Sequence, residues 1–298
     1  MRLKLVPSDT SIDFLRHRRV ASIFSFVLLL SAIGLFLSKG LNLGIDFRGG
    51  ILIEARNSAG AADISGLRHN LESLSLGDIS LQGFGADTDI LVRVQRQEGD
   101  EAAQIAAIEA ISSSLGETYD VRRTEFVGPT VGAELAEKGL LAVACALLAI
   151  MVYIWFRFEW QFSIAAILAL AHDILSTIGL FALTNFEFNL ATVAAILTIA
   201  GYSINDTVVV FDRIRERSRQ GSDLSLSEQV DQAVSATLTR TLYTIGTTLL
   251  RLLALIFFGG STLYWFAIAL ALGVVVGSWS SIALAPSLLT LWEQPREA

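Results

Sequence analysis

The sequence predicts a polytopic α-helical membrane protein, with six transmembrane helices and one small α+β domain inserted between the first and the second. Three observations carry that prediction. Hydrophobic residues fill 53% of the 298 positions and charged residues only 17%, against about a quarter charged in an ordinary soluble chain, and mean hydropathy is +0.57. Six stretches stay apolar over the roughly 20 residues a helix needs to cross hydrocarbon. The polar residues are concentrated in one block that follows the first of these stretches.

Residues 1–19 read as a tail that places Arg16, Arg18 and Arg19 against the first apolar run, 20–37. A basic stretch before an apolar run also opens a signal peptide. This run is long for one, and it continues into Ser38, Lys39 and Gly40 without a small-x-small cleavage site, so it is read as an uncleaved anchor. Basic residues in short segments mark the cytoplasmic side. Six alternating spans return Arg157, the cluster Arg213, Arg215, Arg217 and Arg219, and Arg296 to the side of the first arginines. Both termini are therefore expected in the cytoplasm.

The polar block, 38–138, lies on the far side and is long enough for one folded domain. Strand-like runs at 50–55, 79–84, 90–94 and 119–127 alternate with amphipathic helices at 61–76, bearing Leu67, Leu71 and Leu74, and at 102–115, bearing Ile105, Ile108 and Ile111. The order β-α-β-β-α-β is the split βαβ, ferredoxin-like arrangement, which leaves one sheet face open. In Gly44-Ile45-Asp46-Phe47-Arg48-Gly49-Gly50, Asp46 and Arg48 are most simply a local charge pair beside a glycine turn.

The remaining spans are read at 139–156, 162–183, 190–211, 241–258 and 262–284, with a cytoplasmic loop over 212–240 and a cytoplasmic tail over 285–298. Trp155, Phe156, Phe158 and Trp160 flank the second hairpin as headgroup-level aromatics do, and Tyr264 and Trp265 mark the opposite interface. Gly273 and Gly277 are spaced for close helix contact, and Gly259 and Gly260 turn the chain. The loop includes an amphipathic stretch with Leu224, Leu226 and Val230, and its helix either touches anionic lipid through Arg215, Arg217 and Arg219 or is a solvated connector.

Composition and motifs exclude several classes. A net charge of −7 with a pI near 5.0 gives no basic face for a nucleic acid. There is no His/Cys cluster at metal-ligand spacing, no phosphate loop after a strand and no nucleophile beside a base. No cofactor, metal or hydrolytic active site is expected. Cys145, the one cysteine, reads as a small packing residue, and His69 as a surface histidine.

The functional signal is Asp206, a carboxylate inside an apolar span. Such a group costs roughly 2.5–3.5 kcal/mol at mid-helix and survives where it pairs, lines a polar cavity or carries protons. Thr198 and Tyr202 share its stripe, and Asn205 is its neighbour in sequence; Thr237, Arg240, Thr244 and Thr247 form a second stripe on the fifth span. Each threonine can equally bond back to its own helix. His172 and Asp173 place a second polar pair in the third span, read equally as part of a proton path or as structural hydrogen bonding, with Asp173 the stronger candidate for function.

Four blocks give the chain a family resemblance: residues 44–50 just quoted; Val127-Gly128-Pro129-Thr130-Val131-Gly132-Ala133-Glu134-Leu135; Ala171-His172-Asp173; and the run from Gly201 through Asn205 and Asp206 to Glu216. In that order, around one external domain, they resemble the SecF family, the six-span subunits of the SecD–SecF translocation motor, itself similar to half of a resistance-nodulation-division transporter. The resemblance implies proton entry used to draw preproteins from a SecY-containing channel, a SecD partner and residence in the bacterial inner membrane. It implies that Asp206 is on the proton path and that Arg240 works with it. Depth permits this, because the fourth span runs inward and the fifth outward.

Arg251 departs from the family, which carries an aliphatic residue there. By helical rise and rotation it falls back on the Arg240 stripe, roughly 16 Å further out, at the depth of Asp173. It is therefore expected to face the bundle interior and pair with Asp173 or a nearby acid. Two other classes compete: a proton-driven exporter of lipids or small molecules, for which the external domain is small, and a scaffold whose intramembrane charges only fix assembly.

Overall fold

The structure, a computed structural model, describes residues 13–84, 86–219 and 224–292; the expected placement of 1–12 and of Arg296 lies outside them. The chain forms two compact units. One takes the chain up to Asn42, Val143–Phe186 and the chain from Ala191; the other takes Leu43–Ala142 together with Glu187–Leu190.

The second unit is built on a four-stranded sheet: β1 (Gly50–Asn57), β2 (Ile79–Phe84), β3 (Ala86–Val94) and β4 (Tyr119–Val127). The strands lie in the order β2-β3-β1-β4 and every neighbouring pair is antiparallel. Strand alternation sends Ile51, Ile53 and Ala55 of β1 and Ile90, Val92 and Val94 of β3 to one face, where they pack with Leu67, Leu71, Ile111 and Leu115. Those last four come from helices Ile64–Glu72 and Glu101–Leu115, whose first turns are capped by Asp63 and Asp100. The inner face of the second helix is Gln104, Ala107, Ile111 and Leu115. Ile105, expected on that face, is 50% exposed, because helical rotation carries it more than about 100° away from Ala107 and Ile111.

On the other sheet face the Arg56 guanidinium holds Asp89 with two bonds of 2.6 and 2.8 Å. That hydrogen bond keeps the Asp89 carboxyl below its usual range. A lowered carboxyl gives stability that is present above the unfolded value and lost as pH falls through the folded one. Thermal unfolding of the detergent-solubilised chain should therefore show Asp89→Asn with a shallower loss of stability than wild type on acidification below about pH 4.

The glycine pair that opens β1 has a backbone reason. Gly49 and Gly50 adopt φ of +71° and +123°, and a Cβ on Gly50 would lie 2.6 Å from the Val94 carbonyl oxygen. Gly50→Ala is expected to cost about 1–3 kcal/mol and to lower the amount of folded chain recovered from membranes.

In the first unit six helices are long and apolar enough to cross a membrane: Arg18–Lys39, Pro129–Arg157 (of which the part from Val143 belongs here), Trp160–Thr184, Leu190–Arg219, Leu226–Phe258, and a sixth that starts at Gly260. The third, fourth and sixth are substantially buried; the first, second and fifth leave most of their surface exposed, Cys145 included. Small residues set the close approaches. A Cβ on Gly179 would meet Ala32 at 2.2 Å, one on Gly273 would meet Ile199 at 2.3 Å, and one on Gly277 would meet Ser203 at 3.2 Å. The sixth helix ends its α-helical part at Trp279 and passes through a π-turn, Ser280–Leu284.

The 212–240 connection is largely helical: the fourth helix runs on to Arg219 and the fifth begins at Leu226. Ser225 and Glu228 form a capping box, and Val230, Ala233 and Val234 are fully buried with Phe211 and Ile214. Arg217 bonds Gln232 and Arg215 bonds the Arg157 carbonyl, so neither is turned wholly outward for lipid. Trp265 is 8% exposed, with its ring tilted against Phe186 at 4.5 Å between centroids.

Candidate functional site

The fourth helix carries its polar residues into two separate places. In the first, Asp206 is 3% exposed, and its Oδ2 has no hydrogen-bond partner among the described residues. The Arg240 guanidinium is near enough to act on this carboxylate electrostatically, yet gives Oδ2 no hydrogen bond. Tyr202, one turn before Asp206, faces Thr248 and feels the charges of Asp206 and Arg251. The two stripes read from the sequence thus meet, with acid and arginine close but not in contact. Asn205 is exposed and is not part of that meeting.

The threonines on both stripes spend their hydroxyls locally. Thr198 donates to Ala194, Thr237 to Ala233 and Val234, Thr244 to Arg240 and Thr247 to Tyr243, all backbone carbonyls of their own helices. The back-bonding alternative holds for each of them. The polar surface of the fifth helix is then supplied by Arg240 and Arg251, both exposed.

Three residues before Asp206, about 60° round the same helix, Ser203 reaches Asp173, which is fully buried. Ser203 Oγ donates to Asp173 Oδ2 at 2.5 Å and Ser280 Oγ donates to the same oxygen at 2.6 Å. His172 Nδ1 lies 3.0 Å from Oδ1. One carboxylate therefore joins the third, fourth and sixth helices. Gly277 makes room for it, since a Cβ there would lie 3.5 Å from Oδ2, and the π-turn begins at Ser280 itself. Such a turn inserts one extra residue per helical turn and re-aims the side chains around it.

The expected Arg251–Asp173 pair does not form. Arg251 donates from Nε to the Thr247 carbonyl at 3.1 Å and from Nη2 to Thr248 Oγ1 at 3.3 Å, on the surface of its helix. Depth and rotation along one helix say nothing about which neighbour that helix turns toward, and the fifth helix turns this stripe to the Tyr202 side. Asp46 and Arg48 are not a local pair either. Asp46 Oδ2 instead accepts from the Leu190 N–H at 2.8 Å. Ser203 falls in a block that carries the family resemblance and Ser280 in a run of weaker agreement with it, but the sequence assigns no role to either, nor to a contact between Asp46 and Leu190.

The chain matches the family described as protein export membrane protein SecD/SecF, C-terminal, over residues 107–295, and the SecD/SecF GG motif over residues 34–56. It is 41% identical over 295 residues to the protein translocase subunit SecF of Rickettsia rickettsii, covering 97% of this chain and 94% of that one. It is 43% identical over 297 residues to the SecF of Cereibacter sphaeroides, covering 97% and 91%. The crystal structure of SecDF from Thermus thermophilus superposes with a TM-score of 0.87 at 36% identity over 98% of this chain. This chain spans 40% of that SecDF chain.

Proposed function

We propose, from the premise that this chain belongs to the SecD/SecF family of protein-export membrane proteins, that it is the six-span subunit of an auxiliary Sec motor in which protons crossing at Asp206 drive late steps of preprotein export. The observation that carries this reading is the buried Asp206 oxygen without a hydrogen-bond partner among the described residues, with the Arg240 charge close by but not bonded to it. A purely structural acid in hydrocarbon would be fully satisfied, as Asp173 is. An acid left open beside a cation that is not bonded to it is suited to gain and lose a proton as the distance between them changes.

In this reading the fourth helix runs from the periplasm inward, both termini are cytoplasmic, and the protein lies in the bacterial inner membrane. The βαββαβ unit is then a periplasmic ferredoxin-like domain. The partner is a SecD-like chain. Exposed Arg240 and Arg251 on the fifth helix are costly against lipid and call for a polar face to cover them, which supports assembly with a homologous half. The SecY-containing channel, the translocating preprotein and surrounding lipid complete the setting. No hydrolytic site is assigned, and the work is that of a transport subunit. A proton-driven exporter would use the same acid, but the small domain has its helix-covered face filled by its own core.

The test is preprotein translocation in inverted vesicles that carry this chain and its SecD-like partner, with and without a proton gradient. A gradient-dependent gain that disappears when this chain is omitted supports the motor. Equal yields under all conditions would refute it.

A further inference from the structure

We propose that Asp46, reinforced by the Arg93–Glu187 pair, ties the external domain to the helix that carries Asp206, so that Asp46 is a positioning residue for that site. The inference rests on the motor reading above and deepens it.

Two independent connections run from the domain to the three residues that lead into the fourth helix. The first is the turn before β1. Gly44 N–H donates to the Phe188 carbonyl at 2.9 Å, and two residues later Asp46 accepts from the N–H of Leu190, the first residue of the helix Leu190–Arg219. A carboxylate on that N–H satisfies one of the donors a helix leaves open at its start and meets the positive end of the helix dipole. The turn itself, Ile45–Arg48, closes with Gly49 N–H on the Ile45 carbonyl at 2.8 Å and feeds directly into β1.

The second connection comes from β3. Arg93, opposite Leu52 of β1, donates to the Leu43 carbonyl at 3.3 Å and stands 3.8 Å from Glu187. Both partners are buried, at 9% and 4% exposure. Burial pushes the Glu187 carboxyl up and the Arg93 guanidinium down, and each is held against that by the other's charge. Removing one partner leaves a buried charge uncompensated, which makes the pair a stiff link rather than a loose surface bridge.

Glycines let these parts close up. A Cβ on Gly44 would come within 2.6 Å of Glu187 Oε1, and one on Gly132, near the start of the second span, within 3.2 Å of the Gly49 nitrogen and 3.3 Å of the Phe47 carbonyl oxygen. The turn is thus held on one side by the second span and on the other by the lead into the fourth. From Leu190 to Asp206 the connection is continuous helix, about 24 Å at 1.5 Å per residue. A shift of the domain that carries the turn with it moves the helix along its axis or rotates it, and with it the carboxylate relative to Arg240.

The chemistry of a helix cap separates this role from bulk stability. Asn caps about as well as Asp, and Ala does not. In the same vesicles, at equal and verified complex levels, Asp46→Ala should lower the gradient-dependent part of translocation about fivefold, the equivalent of one lost cap, and Asp46→Asn should restore it. Glu187→Arg should lower it as well, with recovery in the Arg93→Glu/Glu187→Arg double variant. The gradient-independent part should not move. Full gradient-dependent activity in Asp46→Ala overturns the proposal. Should Asp46→Ala not accumulate, the charge swap decides: recovery supports the link, and a double variant no better than Glu187→Arg overturns it. Asp206→Asn in the same series separates the two readings, because an active Asp206→Asn refutes the motor site, whereas an inactive Asp206→Asn beside an active Asp46→Ala refutes only the link.

Discussion

Asp206→Asn is expected to remove the gradient-dependent part of preprotein translocation, a loss of about a hundredfold or more in its rate, with the protein still assembled. The amide is isosteric, so packing around the fourth helix is kept. Asp206 Oδ2 makes no hydrogen bond that the substitution would break, and replacing an ionisable group in an apolar span by a neutral one removes a desolvation cost. The variant should therefore be as stable as wild type in detergent, or more so. That combination separates the motor from the scaffold reading, which requires Asp206→Asn to weaken the complex. The Arg240 partner gives a second arm. Arg240→Lys keeps the charge but replaces a planar fork by a point charge on a shorter reach and should retain part of the activity, whereas Arg240→Gln should match Asp206→Asn. Vesicles in which Asp206→Asn translocates as wild type would place the proton path elsewhere.

The sequence made much of this site legible, and the reasons are specific. Asp206 stood out because a carboxylate in a long apolar run is costly wherever the helix points. The stripe of Thr198, Tyr202 and Asp206 followed from helical rotation alone. The β-α-β-β-α-β order followed from the switch between two-residue and helical periods, and the observed strands β2 and β4 coincide with the runs read from it. What failed were statements about neighbours. Arg251 bonds Thr247 and Thr248 and not Asp173, because rotation about one helix axis does not fix which helix lies opposite. Asp46 and Leu190 are 144 positions apart, and no local pattern announces a side chain that caps a distant helix. The amphipathic stretch with Leu224, Leu226 and Val230 in the 212–240 connection is the start of the fifth helix itself, where Ser225 and Glu228 stand at the spacing of a capping box.

Asp173 has the opposite chemistry from Asp206, and its variants should show it. Its two serine bonds and its histidine neighbour are all buried, so Asp173→Ala strands the Ser203 hydroxyl and an imidazole, leaves Ser280 only the Gly277 carbonyl, and opens a void between three helices. The expected cost is about 3–5 kcal/mol, read as a large drop in the melting temperature of the detergent-solubilised chain and in the amount of complex recovered. Asp173→Asn should be far milder, because a serine hydroxyl rotates to accept from the amide nitrogen where it formerly donated. Replacing the set together tests the interpretation. In Asp173→Leu with Ser203→Ala and Ser280→Ala no polar group is left without a partner except on His172, and stability should recover toward wild type. If the gradient-dependent activity returns with it, Asp173 is a lock that holds the fourth helix, and hence Asp206, in place. An Asp173→Asn chain that assembles fully and yet loses that activity would instead put Asp173 on the proton path with Asp206. The geometry favours the lock, since the carboxylate that binds three helices is satisfied on both oxygens, and the one that faces Arg240 is not.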